Sequence, residues 1–244
     1  MRTRASRRRF LAEIGQGMLV ASVGYGAAVE MGLASARAAE KPEPLAFGPL
    51  EPLVALMQET PTDRLLPAIV GRLNSGTRLR DLVAAAALAN ARTFGGEDYV
   101  GFHTMMALAP AFHMAAELPA AQGPLPILKV LYRNNQRIQE VGGRKAEVLR
   151  WIQPATIAPQ AAGGEVLRAA VRGKDMERAE RTFASLAQGK AGDAFNDLLW
   201  TVQDNTDVHR VVLPYRSWDL LDLIGHEHAH TLLRQSLRFC VNRP

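Results

Sequence analysis

A single cysteine, Cys240, stands in 244 residues, so an intramolecular disulfide is excluded and stability must come from a packed core. Aromatic residues make up only 6% of the chain, and no stretch alternates apolar and polar residues at period two, which argues against the strand-rich classes. No uninterrupted apolar run reaches the roughly 20 residues that a membrane helix needs. The glycine pairs at 142–143 and 163–164 lack the preceding strand that a phosphate loop requires, so both are turns. There is no strict internal repeat. Residues 1–39 contribute +4 of the formal +5 charge, through six Arg and two Glu, and most of the pI of 9.7. The rest of the chain is close to neutral and carries no electrostatic footprint for nucleic acid.

What is present begins with a leader. Ser6-Arg7-Arg8-Arg9-Phe10-Leu11 resembles the twin-arginine (Tat) export signature, followed by a modest apolar stretch over 14–29 broken by Gly15, Gly17, Gly24 and Gly26. Small residues at 34–38 offer cleavage positions. A signal peptide over 1–39 and one helical domain over 40–244 are therefore expected. Localisation would be periplasmic or extracellular, with the Tat machinery as a partner and no stable membrane span after cleavage. Twin-arginine substrates generally cross the membrane folded, often with a cofactor in place, which raises the expectation of a bound metal or organic group.

Alanine and leucine dominate the remainder, which reads as helix almost throughout. The pattern predicts helices near 53–58, 64–73, 79–92 and 97–118, with Pro110 kinking or splitting the last of these. Further helices are expected near 127–141, 145–152, 165–172, 174–188 and 191–203, and a long terminal one over 215–241. The most loop-like stretch is 154–164. The fold class is all-α, an irregular multi-helix bundle or an array of helical hairpins.

Half of the six histidines fall in the five residues 226–230, His-Glu-His-Ala-His. Imidazole is the commonest metal ligand and titrates nearest neutrality, so the cluster points to a metal or acid/base site. On one straight helix His226 and His230 share a face, with Glu227 flanking it, whereas His228 points away into the stripe of Leu220, Leu221, Ile224, Leu232 and Leu233. The string also satisfies H-E-x-x-H, the zincin pattern of two zinc-binding histidines and a water-activating glutamate. No acidic residue follows Glu227, so the usual downstream glutamate ligand is missing. His103 and His113 bracket Pro110, about 15 Å apart on a straight helix and too far to share an ion. His209 follows Asp204 and Asp207, as a ligand at a helix start or as a capping histidine. Asn134 and Gln136 lie in an unusually polar run, where they could contact a cofactor or orient a ligand histidine, or simply face solvent.

Residues 102–115, 132–136 and 217–239 resemble an uncharacterised family of twin-arginine-exported, histidine-containing helical proteins; there is also a much fainter similarity to questin-oxidase-like helical proteins. The first resemblance covers most of 75–240. It implies histidines at the places of His103, His113, His209 and His228, with the place of His226 variable. It favours His103, His209, His228 and His230 as ligands or acid/base groups.

Together these readings predict an exported helical protein with one histidine-rich metal centre between the 97–118 region and the C-terminal helix. Iron, copper and zinc all suit imidazole. His103, His113, His209, His228 and His230 are the candidate ligands, and Glu227 or His226 would handle protons for an unidentified small-molecule substrate. An oxidoreductase or a metal-assisted hydrolase would use an open coordination position. The alternatives are a zincin-type zinc hydrolase, a metal or haem carrier without turnover, and a structural module whose histidines are satisfied core groups.

Overall fold

The computed structural model describes residues 43–158 and 160–242. The expected leader and the start of the proline-rich segment after it lie outside the described residues. The chain divides into two units, Met1–Glu43 and Pro44–Pro244, and only Glu43 of the first is described.

The second unit is all-α. A 3-10 turn, Gly48–Leu50, leads into α1 (Glu51–Glu59), α2 (Thr62–Asn74), α3 (Leu79–Phe94), α4 (Tyr99–Glu117) and α5 (Pro124–Glu140). After a second 3-10 turn, Gly143–Ala146, come α6 (Gly163–Arg172), α7 (Met176–Leu186), α8 (Ala191–Val202) and α9 (Val208–Ile224). A third 3-10 turn, His226–His228, precedes α10 (Ala229–Asn242). The described residues contain no strand, only one isolated bridge between Pro44 and Arg150. None of their helices is long and apolar enough to cross a membrane.

Every residue from Leu82 to Phe94 is buried. A helix apolar on all sides has to be enclosed, and α1, α4, α5, α9 and α10 pack around α3. Small residues let the neighbours come close: a Cβ on Gly101 would stand 2.5 Å from the Phe94 ring. Buried polar groups on this helix need partners. Asn90 Nδ2 donates to Gly101 O at 2.7 Å and to Asn134 Oδ1 at 2.7 Å. Thr104 Oγ1 lies 2.9 Å from the same Asn134 oxygen, and Asn134 Nδ2 donates to Ala86 O at 3.2 Å. This network pins α3, α4 and α5 in one register.

α10 is the second enclosed helix, meeting α3, α7, α8 and α9. Arg210 of α9 is almost fully buried beside it. Its Nη2 donates to Thr201 O at 3.0 Å and Cys240 O at 3.5 Å. These carbonyls lie in the last turns of α8 and α10, where a cation complements the negative ends of both helices.

Four sequence expectations are corrected here. The terminal helix is two helices, because Gly225 adopts φ +115 and ψ 138, a left-handed conformation that side chains rarely tolerate; a Cβ there would also stand 2.3 Å from the Glu227 carboxylate. The last long run starts at Val208 rather than Tyr215, because Asp207 caps it and Pro214 is accommodated inside α9. Pro110 does not split α4. Residues 147–152, expected in a helix over 145–152, lie outside any helix after the 3-10 turn: the amides of Val148 and Leu149 donate to Arg92 O at 2.9 and 3.0 Å, spending donors that a helix would need.

Candidate functional site

The histidines do not converge on one centre. Among the described residues no three His, Cys, Asp or Glu side chains come together as a ligand set. The break at Gly225 is the reason for the C-terminal trio, since it places His226 and His228 in a 3-10 turn and His230 in the first turn of α10. The zincin alternative needs His226 and His230 on one ion; here His226 meets Asp222 and Trp218, while His230 tilts against Phe183.

His226 is exposed, with Nε2 3.1 Å from Asp222 Oδ1 and its ring edge-on to Trp218. Glu227 is exposed, 3.9 Å from His228 Nε2. His228 packs its ring against Phe47, and burial pushes its pKa down despite the opposing pull of Glu227. His113 is exposed on α4 and meets only the Phe112 ring edge-on. Gln136 accepts from Arg133 Nη1 at 3.0 Å, and Asn134 spends its amide in the α3–α4–α5 network. Among the described residues neither amide hydrogen-bonds a histidine.

Two of the expected ligands do meet. Asp98 caps α4 by accepting from Gly101 N at 2.7 Å and ties it to α5 through Arg137 Nη2 at 2.7 Å. Burial works to raise the Asp98 pKa, but Arg137 and the capped amides hold it below the usual carboxylate range. Asp207 caps α9, accepting from His209 N at 2.8 Å. These two N-caps set Tyr99 and His103 on α4 beside His209 on α9. The ring centroids of His103 and His209 are 5.4 Å apart, at 81°.

The pair sits in an aromatic setting. Phe102, nearly fully buried, stacks on His103 at 4.6 Å and meets His209 edge-on at 4.8 Å. Tyr99 covers His103 at 4.4 Å, and Phe239 of α10 backs His209 at 6.1 Å. His103 Nδ1 lies 2.6 Å from Tyr99 O. A carbonyl can only accept, so Nδ1 carries the proton and Nε2 keeps its lone pair. His209 Nδ1 lies 3.8 Å from Asp207 Oδ1. His103 also lines a hollow of about 310 Å³ between α4 and α5, with Tyr99, Thr104, Lys129 and Arg133. The alternation of Asp cap and histidine (Asp98 and His103, Asp207 and His209) is legible in the sequence, but the pairing across helices is not.

The spacing of the pair can be set against that of two imidazoles on one ion. With metal–nitrogen bonds of about 2.0–2.1 Å, two imidazoles on one tetrahedral ion have ring centroids roughly 5 Å apart. The same spacing is also that of an ordinary edge-to-face ring pair.

His230 occupies a separate place. It tilts against Phe183 at 6.0 Å and lines a hollow of about 300 Å³ with Trp151, Ile152 and Gln188. Its Nε2 is buried without a hydrogen-bond partner. Burial, then Arg234, lower its pKa from 6.5 to about 4, against a smaller opposing effect of Glu180. A folded pKa below the unfolded one means that the unfolded chain binds the proton more tightly, so stability is full above pH 6.5 and is lost as pH falls toward 4. The expected loss at pH 5 is about 2 kcal/mol. Urea unfolding of the wild type and His230→Phe at pH 7.5 and pH 5 checks this. The difference between the two pH values should shrink by about that amount in the variant; an unchanged difference would rule His230 out as its source.

Compared with known proteins, the chain matches no protein-family model, and no curated protein and no solved structure matches it.

Proposed function

We propose that the protein is an exported helical metal-binding protein in which His103 and His209 hold one transition-metal ion. The observation that carries this is the imidazole pair at 5.4 Å, with one ring already locked in the tautomer that leaves Nε2 free to coordinate. Imidazole donors rank copper(II) above zinc and iron(II). When bound, the ion would supply Lewis acidity or electron transfer at coordination positions left to water or a small ligand.

The chain's own residues have distinct tasks around the pair. Tyr99 O fixes the His103 proton, as a partner outside the ligand set commonly does. Phe102 holds both rings from below and keeps water off that side. Asp207 anchors the helix end that carries His209. The twin-arginine-like leader supports export, and a folded substrate of that pathway can carry an ion loaded before translocation.

Metal content after dialysis, and calorimetric titration with copper(II) and zinc, test the reading on the wild type, His103→Ala, His209→Ala and a control lacking His226 and His228. About one ion per chain is expected, with at least a tenfold loss of affinity in either single variant and little change in the control. Stoichiometry and affinity that survive in both single variants would show that the pair is ring packing only.

A further inference from the structure

The hollow at His103 continues into a second one. The lower hollow has a volume of about 430 Å³ and shares Ala107, Lys129 and Val130 with the upper. Residues high on α4 face residues low on α5 at one end, and the reverse holds at the other, as in an antiparallel helical hairpin. Together the two hollows form one groove. From His103 to Leu118 its α4 wall runs about 22 Å at 1.5 Å per residue.

The walls differ along that length. The lower end is lined by apolar side chains, including Pro110, Met114, Leu118 and Leu125, and Met114 and Leu125 are 54% and 59% exposed. Open apolar side chains gathered in one groove mark a binding surface more often than scattered ones do. Lys129 stands where the two hollows meet, and His103 and Arg133 line the upper one. Among the described residues no carboxylate lines either hollow. Lys129 has no ion-pair partner among the described residues, and the nearest carboxylate to Arg133 is Glu140 at 3.6 Å. In the floor, Thr104 hydrogen-bonds Gly101 O at 2.8 Å and Asn134 Oδ1 at 2.9 Å. The groove therefore offers apolar surface along its length, with one cation where the hollows meet and another toward the upper end.

We propose that this groove binds a free long-chain fatty acid, its alkyl chain along Pro110, Met114, Leu118 and Leu125 and its carboxylate between Lys129 and Arg133. A neutral lipid would leave Lys129 without a counter-charge, and an anion without a tail would leave the lower walls wet. Lys129 and Arg133 lay their stems along the chain and keep their charged heads at the surface. The carboxylate end then lies at the His103–His209 pair. The inference borrows its orientation from the metal reading but not its affinity, because no proposed ligand histidine is needed to hold the tail.

Displacement of 11-(dansylamino)undecanoic acid by palmitate, on the full chain, tests this with hexadecanol as the uncharged comparison. Saturable one-to-one binding is expected, with hexadecanol at least about tenfold weaker. Lys129→Glu with Arg133→Glu should weaken palmitate by at least about tenfold, and Leu125→Glu, at an exposed position, should do the same without altering the far-UV circular dichroism. His209→Ala, at a position that lines neither hollow, should stay within about threefold of the wild type for palmitate, so a failed metal site and a failed fatty-acid site give different patterns. Absence of saturable binding, equal affinity for hexadecanol, or indifference to Leu125→Glu would each overturn the proposal. So would concentration-dependent self-association, abolished by Leu125→Glu, in a protein that does not bind palmitate, because the groove would then belong to a second copy.

Discussion

Glu180→Leu should lower the free energy of unfolding by about 3–5 kcal/mol. Glu180 lies on α7 and accepts from Arg234 Nε at 2.7 Å and Arg238 Nη1 at 2.8 Å, both on α10. Its side chain and that of Arg234 are 8% and 4% exposed, so water does not screen the pair. Burial works to raise the Glu180 pKa, yet the two guanidinium groups hold it below the ordinary carboxylate range. Arg234 also donates to Arg150 O at 2.7 Å, tying the non-helical segment after the second 3-10 turn to α10, and Arg238 reaches Glu97 before α4. Removing the carboxylate leaves Arg234 charged in a dry interface with only a carbonyl to meet it, while Arg238 retains Glu97. Glu177→Leu on the same helix is the control: its bond to Arg181 is 3.5 Å long between exposed side chains, and exposed pairs are worth about 0–1 kcal/mol. Urea midpoints that place both variants together would mean that the buried triad adds nothing beyond a surface pair.

This interface shows where the sequence could be read and where it could not. The helices were legible because alanine-rich runs and glycine stops act over a few residues: Gly95 marks the end of α3 without help from the rest of the fold. The non-helical stretch 147–152 was not, because the amides of Val148 and Leu149 go to Arg92 O, more than fifty residues away. The His-Glu-His-Ala-His cluster drew attention by density, yet Gly225, immediately before the string, ends the long helix that its geometry assumed. His103 and His209 were both named from local pattern, but the sequence gives no hint that α4 and α9 put their rings together. Lys129 and Arg133 were overlooked since a charged residue on an amphipathic helix normally means solvent; only the apolar groove beside them gives the charge a direction.

Arg92→Leu should cost about 3–5 kcal/mol, the range for removing one partner of a buried ion pair. Arg92 stands in the run of alanines on α3, a position where a charge is out of place unless other segments come to meet it. They do. Its Nη1 donates to Leu45 O at 2.7 Å and Glu51 Oε1 at 2.8 Å, and Nε to Gln58 Oε1 at 3.1 Å. Glu147, with a side chain only 3% exposed, comes within 3.0 Å of Nε. One fully buried guanidinium thus gathers the chain before α1, α1 itself and the start of the non-helical segment onto the central helix. Arg92→Lys keeps the charge but loses the planar fork that reaches several acceptors at once, so it should recover only part of the loss. Hydrogen exchange separates the consequences. If Arg92 is the common anchor, amides of 147–158 and of α1 should exchange faster together in Arg92→Leu, ahead of global unfolding. Faster exchange in α1 alone would mean that Arg144 and Arg150, which also pair with Glu147, suffice to hold the non-helical segment, and that Arg92 serves only the α1–α3 contact.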